Sequence, residues 1–279
     1  MAAPVREMEE AEIAGGDKYI VPALERGLRM LGEFNRDTRT LGAPEFARRL
    51  NLPRSTVFRL LTTLESMGFV ERAGNDYRLG VAVLRLGFEY IASLELTEVG
   101  QPVMQRLCDA IRYPVNLVVR DGRSIVYVAK VSPPSPFASA VRVGTRLPAH
   151  ATVLGRILLE DLSLPELRAL YPEEHLEEFS RNTPHTVLDL FNMVQVDRER
   201  GFVLGEGFFE SSISTIAAPV RGEDGLIAAA LGVTIPSGHI DPERIDELVQ
   251  RVRAAADEIS SLLNYKPRSA KVLAMPDGR

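Results

Sequence analysis

The sequence has no tryptophan, one cysteine and four histidines in 279 residues. A single cysteine, Cys108, excludes an intramolecular disulfide and a cysteine-based zinc site, and a reducing cytoplasm is the expected location. Lying on an apolar helix face with no thiolate-stabilising neighbour, Cys108 is expected to be buried and inert. His175, His185 and His239 are scattered without metal-like spacing, and His150 reads as a capping or backbone-bonded residue. Long hydrophobic runs are missing too: the most apolar stretches, 227–235 and 115–119, have the length of strands, not of membrane spans. The N-terminus carries acids and no apolar core of a secretory signal. Neither a G-x-S-x-G turn nor a phosphate-binding glycine loop occurs. What remains is a globular composition, 45% hydrophobic and 25% charged, on a chain long enough for two domains.

An overall positive charge is also lacking, since the net charge is −5. The distribution is uneven, however. Residues 19–90 hold 11 arginines and no lysine against 8 acids, whereas residues 1–18 hold 2 basic groups against 5 acidic and the remainder 20 against 25. The local basic excess is modest, so tight nucleic-acid binding would need two copies of that segment on one DNA.

Within it, residues 53–64 (PRSTVFRLLTTL) place Val57, Leu60, Leu61 and Leu64 at i, i+3, i+4 and i+7, one apolar stripe of a helix. Pro53 suits the first helical position. Arg54, Ser55, Thr56, Arg59 and Thr62 point outward, a set of hydrogen-bond donors with two forked cations and almost no bulk. Upstream, 44–50 reads as a shorter helix with Phe46, Ala47 and Leu50 inward, and Asn51-Leu52 as a tight turn. Downstream, Gly68 caps the helix, and two short strands around 73–76 form a hairpin carrying Arg72 and Arg78. Together these make a winged helix-turn-helix. The bland alternative is an amphipathic helical hairpin in a core, its arginines merely solvated. A helix over 19–34, with Leu24, Leu28, Leu31 and Phe34 inward, completes the base.

A further helix over 81–94, with Leu84, Phe88 and Ile91 at helical spacing, has more apolar surface than a solvent-bridging linker needs. That surplus points to pairing with a second subunit. A polar step at 95–97 marks the domain boundary. Beyond it the pattern reads helix (99–111), strands around an Asp121-Gly122 turn, a proline loop, a strand (137–143), and helices at 150–162, 164–171 and 187–200. Strands at 202–204, 214–220 and 226–235 and a helix over 241–263 follow. The expected fold is α+β, with a mainly antiparallel C-terminal sheet flanked by helices. The expected organisation is a mobile tail (1–18), a DNA-binding domain (19–80), a linker helix (81–96), an effector domain (97–265) and a second tail (266–279).

The blocks LPRSTVFRLLTTLESMGFVER…YRLG, VGTRLPAHATVLGRILL and RGFVLGEG…STIAAPVRGEDG…AALGVTIP resemble, in that order, the IclR family of bacterial transcriptional regulators over about residues 19–264. The resemblance implies a winged helix-turn-helix, a linker helix and a GAF-like C-terminal domain that binds a small effector, in dimers or tetramers. The stretch CDAIRYPVNLVVRDGRSIVYVAK further resembles the branch controlling aromatic-acid catabolism. Asn51 stands where the family usually has glycine, and the turn chemistry survives the change. The family's effector sits at the start of the helix after LPAHAT, which maps to Thr152, Val153, Leu154 and Gly155, with Thr215, Gly232 and Thr234 facing it from two strands. Acid-sensing relatives carry a cysteine at the position of Thr215, serines at those of Gly232 and Thr234, and an aspartate at that of Gly205. Those differences imply a larger, flatter and more apolar acid than pyruvate, with Gly232 leaving room for a ring. Asn116, Tyr127, Met104 and Phe137 are candidates for the ring's side of the site, though residues of these types in such positions are more often plain core.

A helix N-terminus suits a carboxylate through free N–H groups and its positive dipole end. On DNA, Arg54 and Arg59 are candidates for bidentate contact with guanine. Ser55 and Thr56 suit bases or phosphates, and Thr62 a phosphate. Arg72 and Arg78 suit phosphate or a minor groove, or are simple surface charge. Arg48 and Arg49 face solvent or backbone phosphates. The expected function is a ligand-responsive regulator of a catabolic operon, with operator DNA, a small aromatic carboxylate such as a hydroxybenzoate and a second copy of the chain as partners and no cofactor, metal or membrane. Two alternatives stay open: a small hydrolase acting on an aromatic acid derivative, for which Glu206 and Glu210 offer carboxylates without a partner constellation, and a sensor that does not bind DNA.

Overall fold

The structure, a computed structural model, describes residues 20–35, 38–86, 95–134 and 141–266. The expected N-terminal tail, most of the C-terminal one, residues 87–94 of the expected linker helix and Phe137 lie outside them. The chain divides into two compact units, one up to Tyr90 and one from Ile91.

The first unit contains helix α1 (Pro22–Gly32), strand β1 (Leu41–Gly42), helices α2 (Ala43–Arg49) and α3 (Arg54–Ser66), and strands β2 (Val70–Ala73) and β3 (Asp76–Leu79). Its core joins Met30 and Phe34 to Phe46, Val57, Leu61, Leu64, Val70 and Tyr77. The apolar stripe of α3 faces inward as its spacing requires. Asn51 takes the left-handed conformation, φ 51°, at the turn between α2 and α3. Its short polar side chain tolerates that geometry. Pro53 lies one position earlier than expected, at the N-cap, where its carbonyl accepts the Val57 amide at 3.1 Å. The wing has a third strand that the hairpin reading did not include: β1 pairs with β3, giving the order β1-β3-β2.

Helix α1 turns a different face to the core. Gly27 and Met30 are buried, whereas Leu24 and Leu28, expected inward, are 61% and 60% exposed. Residues 82–86 are helical, and Val81, Leu84 and Leu86 are exposed.

The second unit opens with α4 (Glu95–Ile111), so the expected polar boundary at 95–97 is instead the first described turn of this helix, with Leu96 buried. A six-stranded antiparallel sheet follows: β4 (Val115–Asp121), β5 (Ser124–Val131), β6 (Arg146–Pro148), β7 (Val203–Glu206), β8 (Ser214–Arg221) and β9 (Ile227–Ile235), in the order β6-β5-β4-β9-β8-β7. The described part of the expected strand 137–143 is not extended into the sheet, and β6 takes the edge instead. One sheet face, with Val115, Leu117, Ile216, Leu231 and Val233, is covered by α4 and by α8 (Pro242–Leu262). The other, with Val118, Tyr127, Ala217 and Ala230, is covered by α5 (Val153–Leu158), α6 (Leu164–Leu170) and α7 (Val187–Arg200). Gly201 ends α7 in the left-handed region, φ 72°, the conformation for which glycine is favoured.

The expected helix 150–162 is broken. Residues Ala149–Ala151 form one 3-10 turn, Thr152 is extended, and α5 begins at Val153. The broken geometry depends on Gly155, where a Cβ would lie 2.0 Å from the Ala149 carbonyl oxygen. Only a residue without a side chain lets the helix start so close to the preceding turn.

Candidate DNA interface and effector site

The arginines on or beside the helix-turn-helix differ in whether an acid holds them. Arg48 and Arg49 are held by Glu45, at 2.6 and 2.7 Å, and their hydrogen bonds pull the Glu45 carboxyl down to about 2. Arg72 is paired with Glu65 at 3.2 Å, and Arg78 with Glu71 at 3.0 Å. Arg29 lies 3.5 Å from Glu25 one turn away on α1. Arg54 and Arg59 differ: both are exposed on α3, and no ion pair is recorded for either among the described residues. Ser55 and Thr62 are exposed beside them and Thr56 is half-buried. The Thr62 and Thr63 hydroxyls donate back to the carbonyls of Phe58 and Arg59, both at 2.9 Å. The expected Thr62–phosphate contact would therefore have to break a bond already made. The expectation of an outward face without bulk needs correcting as well, because Phe58 is 57% exposed there.

In the second unit the ladder brings the expected effector residues to one sheet face. Asn116 pairs with Gly232 on β9, Thr234 with Thr215, and Thr215 with Gly205. Cross-strand partners share a face, and residues two apart on one strand do too. Thr152, Val153, Leu154 and Gly155 lie over that face, all buried. Asn116 is wholly buried and donates from Nδ2 to Thr234 Oγ1 at 3.0 Å, while its Oδ1 has no partner. Tyr127 belongs to the same apolar cluster, and burial pushes its hydroxyl up to about 12.

Two expectations fail here. Gly232 leaves no room for a ring, because a Cβ there would meet Leu154 Cδ2 at 2.6 Å; the Leu154 side chain already fills the notch. Gly205 is filled in the same way by Val153, 2.4 Å from the position of a Cβ. Met104 lies on α4, under the opposite face of the sheet, and cannot line this site. The helix start is also partly used: Thr152 Oγ1 accepts the Gly155 amide at 3.1 Å and donates to the Pro148 carbonyl. The first-turn amides of Val153 and Leu154 have no intrahelical acceptor.

Lys130 is a residue that the sequence reading missed. It pairs with Asn116 across the β4–β5 ladder, shares its face and donates to the Val141 carbonyl at 2.8 Å. Burial and the nearby Arg142 lower its basicity.

The other candidates have structural partners. His150 is buried, its Nε2 is 2.9 Å from the Glu177 carbonyl, and burial lowers its pKa. Cys108 is buried and its thiol pushed up by burial. Glu206 accepts the Ile240 amide at 2.8 Å and lies 3.2 Å from His239, whereas Glu210 accepts the Ser212 hydroxyl. Among the described residues no group of three or more histidines, cysteines or carboxylates could hold a metal, and no helix is long and apolar enough to cross a membrane. A cavity of about 420 Å³ beside β6 is lined by Arg123, Arg146, His150 and Phe179, and by none of the expected effector residues.

Residues 23–74 match the IclR helix-turn-helix domain, and residues 88–261 match the bacterial transcriptional regulator IclR C-terminal domain. The chain belongs to the IclR family. It is similar to the Pca regulon regulatory protein of Pseudomonas putida, 30% identical over 86% of this chain and 83% of that protein. It is 28% identical to the HTH-type transcriptional repressor AllR of Escherichia coli (strain K12), over 88% of this chain and 91% of that one. Among solved structures, a putative transcriptional regulator from Rhodococcus sp. RHA1 is 31% identical with a TM-score of 0.75, over 88% of this chain and 99% of that one. An IclR homologue from Microbacterium hydrocarbonoxydans, complexed with 4-hydroxybenzoate, is 26% identical with a TM-score of 0.74, over 87% of this chain and 99% of that one. IclR proteins are transcriptional regulators and not enzymes, which removes the hydrolase alternative. This IclR protein is a DNA-binding regulator with a ligand-binding C-terminal domain.

Proposed function

We propose that this regulator controls a catabolic operon in the cytoplasm in response to a small hydroxylated aromatic acid, of which 4-hydroxybenzoate is the type. The observation that carries the effector assignment is the unpartnered, wholly buried Asn116 Oδ1 on the sheet face beneath α5. A buried acceptor without a donor is costly, and a ligand hydroxyl supplies that donor. The carboxylate takes the Val153 and Leu154 amides at the start of α5, with Thr215 and Thr234 flanking it and Lys130 adding positive charge on the same face. Tyr127 and the apolar wall of α5 accept the ring. Because Leu154 and Val153 occupy the two glycine notches, the ring enters only as those side chains shift. The relation to the Pca regulator and to the homologue complexed with 4-hydroxybenzoate supports the same class.

On DNA, Arg54 and Arg59 read bases with Ser55 and Thr56, and Arg72 and Arg78 lie beside backbone phosphates. Dimers, singly or in pairs, bring two such helices to one operator. The exposed Leu24 and Leu28 of α1 and the exposed Val81, Leu84 and Leu86 give the first unit apolar surface for that pairing. The organisation proposed is a DNA-binding domain over 19–80, a linker from residue 81 and an effector domain that includes the whole of α4.

A thermal-shift panel tests the effector. Ligand at 100 times its Kd adds ~2.7 kcal/mol to the stability of the form that binds it. 4-Hydroxybenzoate is expected to raise the melting temperature more than benzoate does, and Asn116→Val to erase that preference. A response to pyruvate or glyoxylate alone overturns the assignment. A gel shift with DNA upstream of the protein's own gene, at two salt concentrations, tests the DNA contacts, since binding through phosphates weakens with salt.

A further inference from the structure

Phe58 is the large apolar side chain on α3 that its own unit does not bury. It is 57% exposed, belongs to none of the unit's core cluster and lies next in sequence to Arg59. Helical spacing sets it beside Ser55 three residues before it, Arg54 four before and Thr62 four after. It therefore borders the face that carries Arg54 and Arg59, neither of which has an ion pair recorded among the described residues.

Its hydroxyl-bearing neighbours narrow what this part of the helix can read. Thr62, Thr63 and Ser66 give their hydroxyl protons to the carbonyls of Phe58, Arg59 and Thr63, at 2.9, 2.9 and 2.8 Å. Hydrogen-bond donation by α3 is left to Arg54, Ser55, Thr56 and Arg59, and Phe58 sits among them as a group that can make only apolar contact. In the major groove, the apolar feature of a base edge is the 5-methyl group of thymine. We propose that Phe58 is a specificity-determining residue that packs its ring against a thymine methyl, one or two base pairs from a guanine read by Arg54 or Arg59. The inference rests on α3 being the helix that enters the groove.

The test uses the full-length protein without added effector. A duplex selected from a random library by the wild-type protein serves as the probe, and each thymine in one half-site is replaced in turn by deoxyuridine, which lacks only the methyl. At one position the replacement is expected to weaken wild-type binding about fourfold, the effect of leaving one methyl group unburied. Phe58→Ala is expected to bind thymine and deoxyuridine probes equally, and Phe58→Leu to restore part of the difference. Unchanged melting temperatures establish that both variants fold. Arg59→Ala separates the two claims. If it removes specific binding while Phe58→Ala keeps full methyl sensitivity, the Phe58 assignment fails and the α3 reading stands. If Arg59→Ala leaves specific binding intact, both fail, and a wild-type protein insensitive to every thymine methyl overturns the proposal directly.

Discussion

Arg59 and Arg156 are the same side chain under opposite conditions. Arg59 is exposed on α3, with no ion pair among the described residues. Arg156 lies within α5, 9% exposed, bonded to the 3%-exposed Asp197 at 2.7 Å and stacked over the Phe208 ring at 4.9 Å. A surface cation without a fixed partner keeps its charge for DNA and contributes little to the fold. A buried one is committed to the fold, and its removal is felt as instability. The helix proposed to read DNA and the helix proposed to cover the effector site should therefore fail in different ways.

The sharpest break in that contrast would come from Asp197→Ala, which leaves the Arg156 guanidinium buried without its counter-ion. A loss of ~3–5 kcal/mol is expected, measured by urea unfolding; an effect below ~1 kcal/mol would mean that the pair is not integral to the second unit. Glu160, at the end of α5, comes next. It is buried with one carboxylate oxygen unpartnered, and burial pushes its pKa up to about 8 from 4.5. The folded chain therefore keeps a proton that the unfolded chain loses, and stability falls as pH rises from about 4.5 to about 8. Glu160→Gln should raise stability at pH 7 by roughly 1–3 kcal/mol and flatten its slope between pH 5 and pH 8. An unchanged slope would show the carboxyl to be ionised in place.

On the other side, Arg59→Ala should cost ~1–3 kcal/mol of operator binding with the melting temperature unmoved, by titration of labelled operator and by calorimetry. Arg72→Ala is expected to have the smallest effect, within about 1 kcal/mol on both readouts, because Glu65 already holds that guanidinium. A large loss of operator affinity for Arg72→Ala would show that this guanidinium leaves Glu65 for a phosphate and blur the division between paired and unpaired arginines.

Local chemistry made much of this molecule readable in its sequence. The periodicity of α3, the Asn51 turn and the extents of α7, β8 and β9 each depend on residues close together in the chain. Contacts between distant residues were hidden. The turn at Gly122–Arg123 pairs Asp121 with Ser124, and carrying that register straight back would oppose Asn116 to Ala129. A bulge between Leu117 and Val118 shifts it by one and sets Lys130 across from Asn116 instead. A bulge shows no periodic signal, so Lys130 could not be placed. Leu24 and Leu28 read as core because spacing reports which residues share a face, not whether anything covers it. The break at Thr152 brings Gly155 against Ala149, a close approach that the apolar pattern of 150–162 does not reveal because periodicity marks faces and not backbone contacts.

The notch at Gly232 has an evolutionary corollary. Leu154 projects into the volume that any larger residue at 232 would claim, so the sizes of these two residues behave as a single variable. A lineage that enlarges one must shrink the other in step or carry a mismatched intermediate. At the proposed effector site, ligand preference should accordingly drift by reciprocal exchange between a helix and a strand, with neither position free to wander alone.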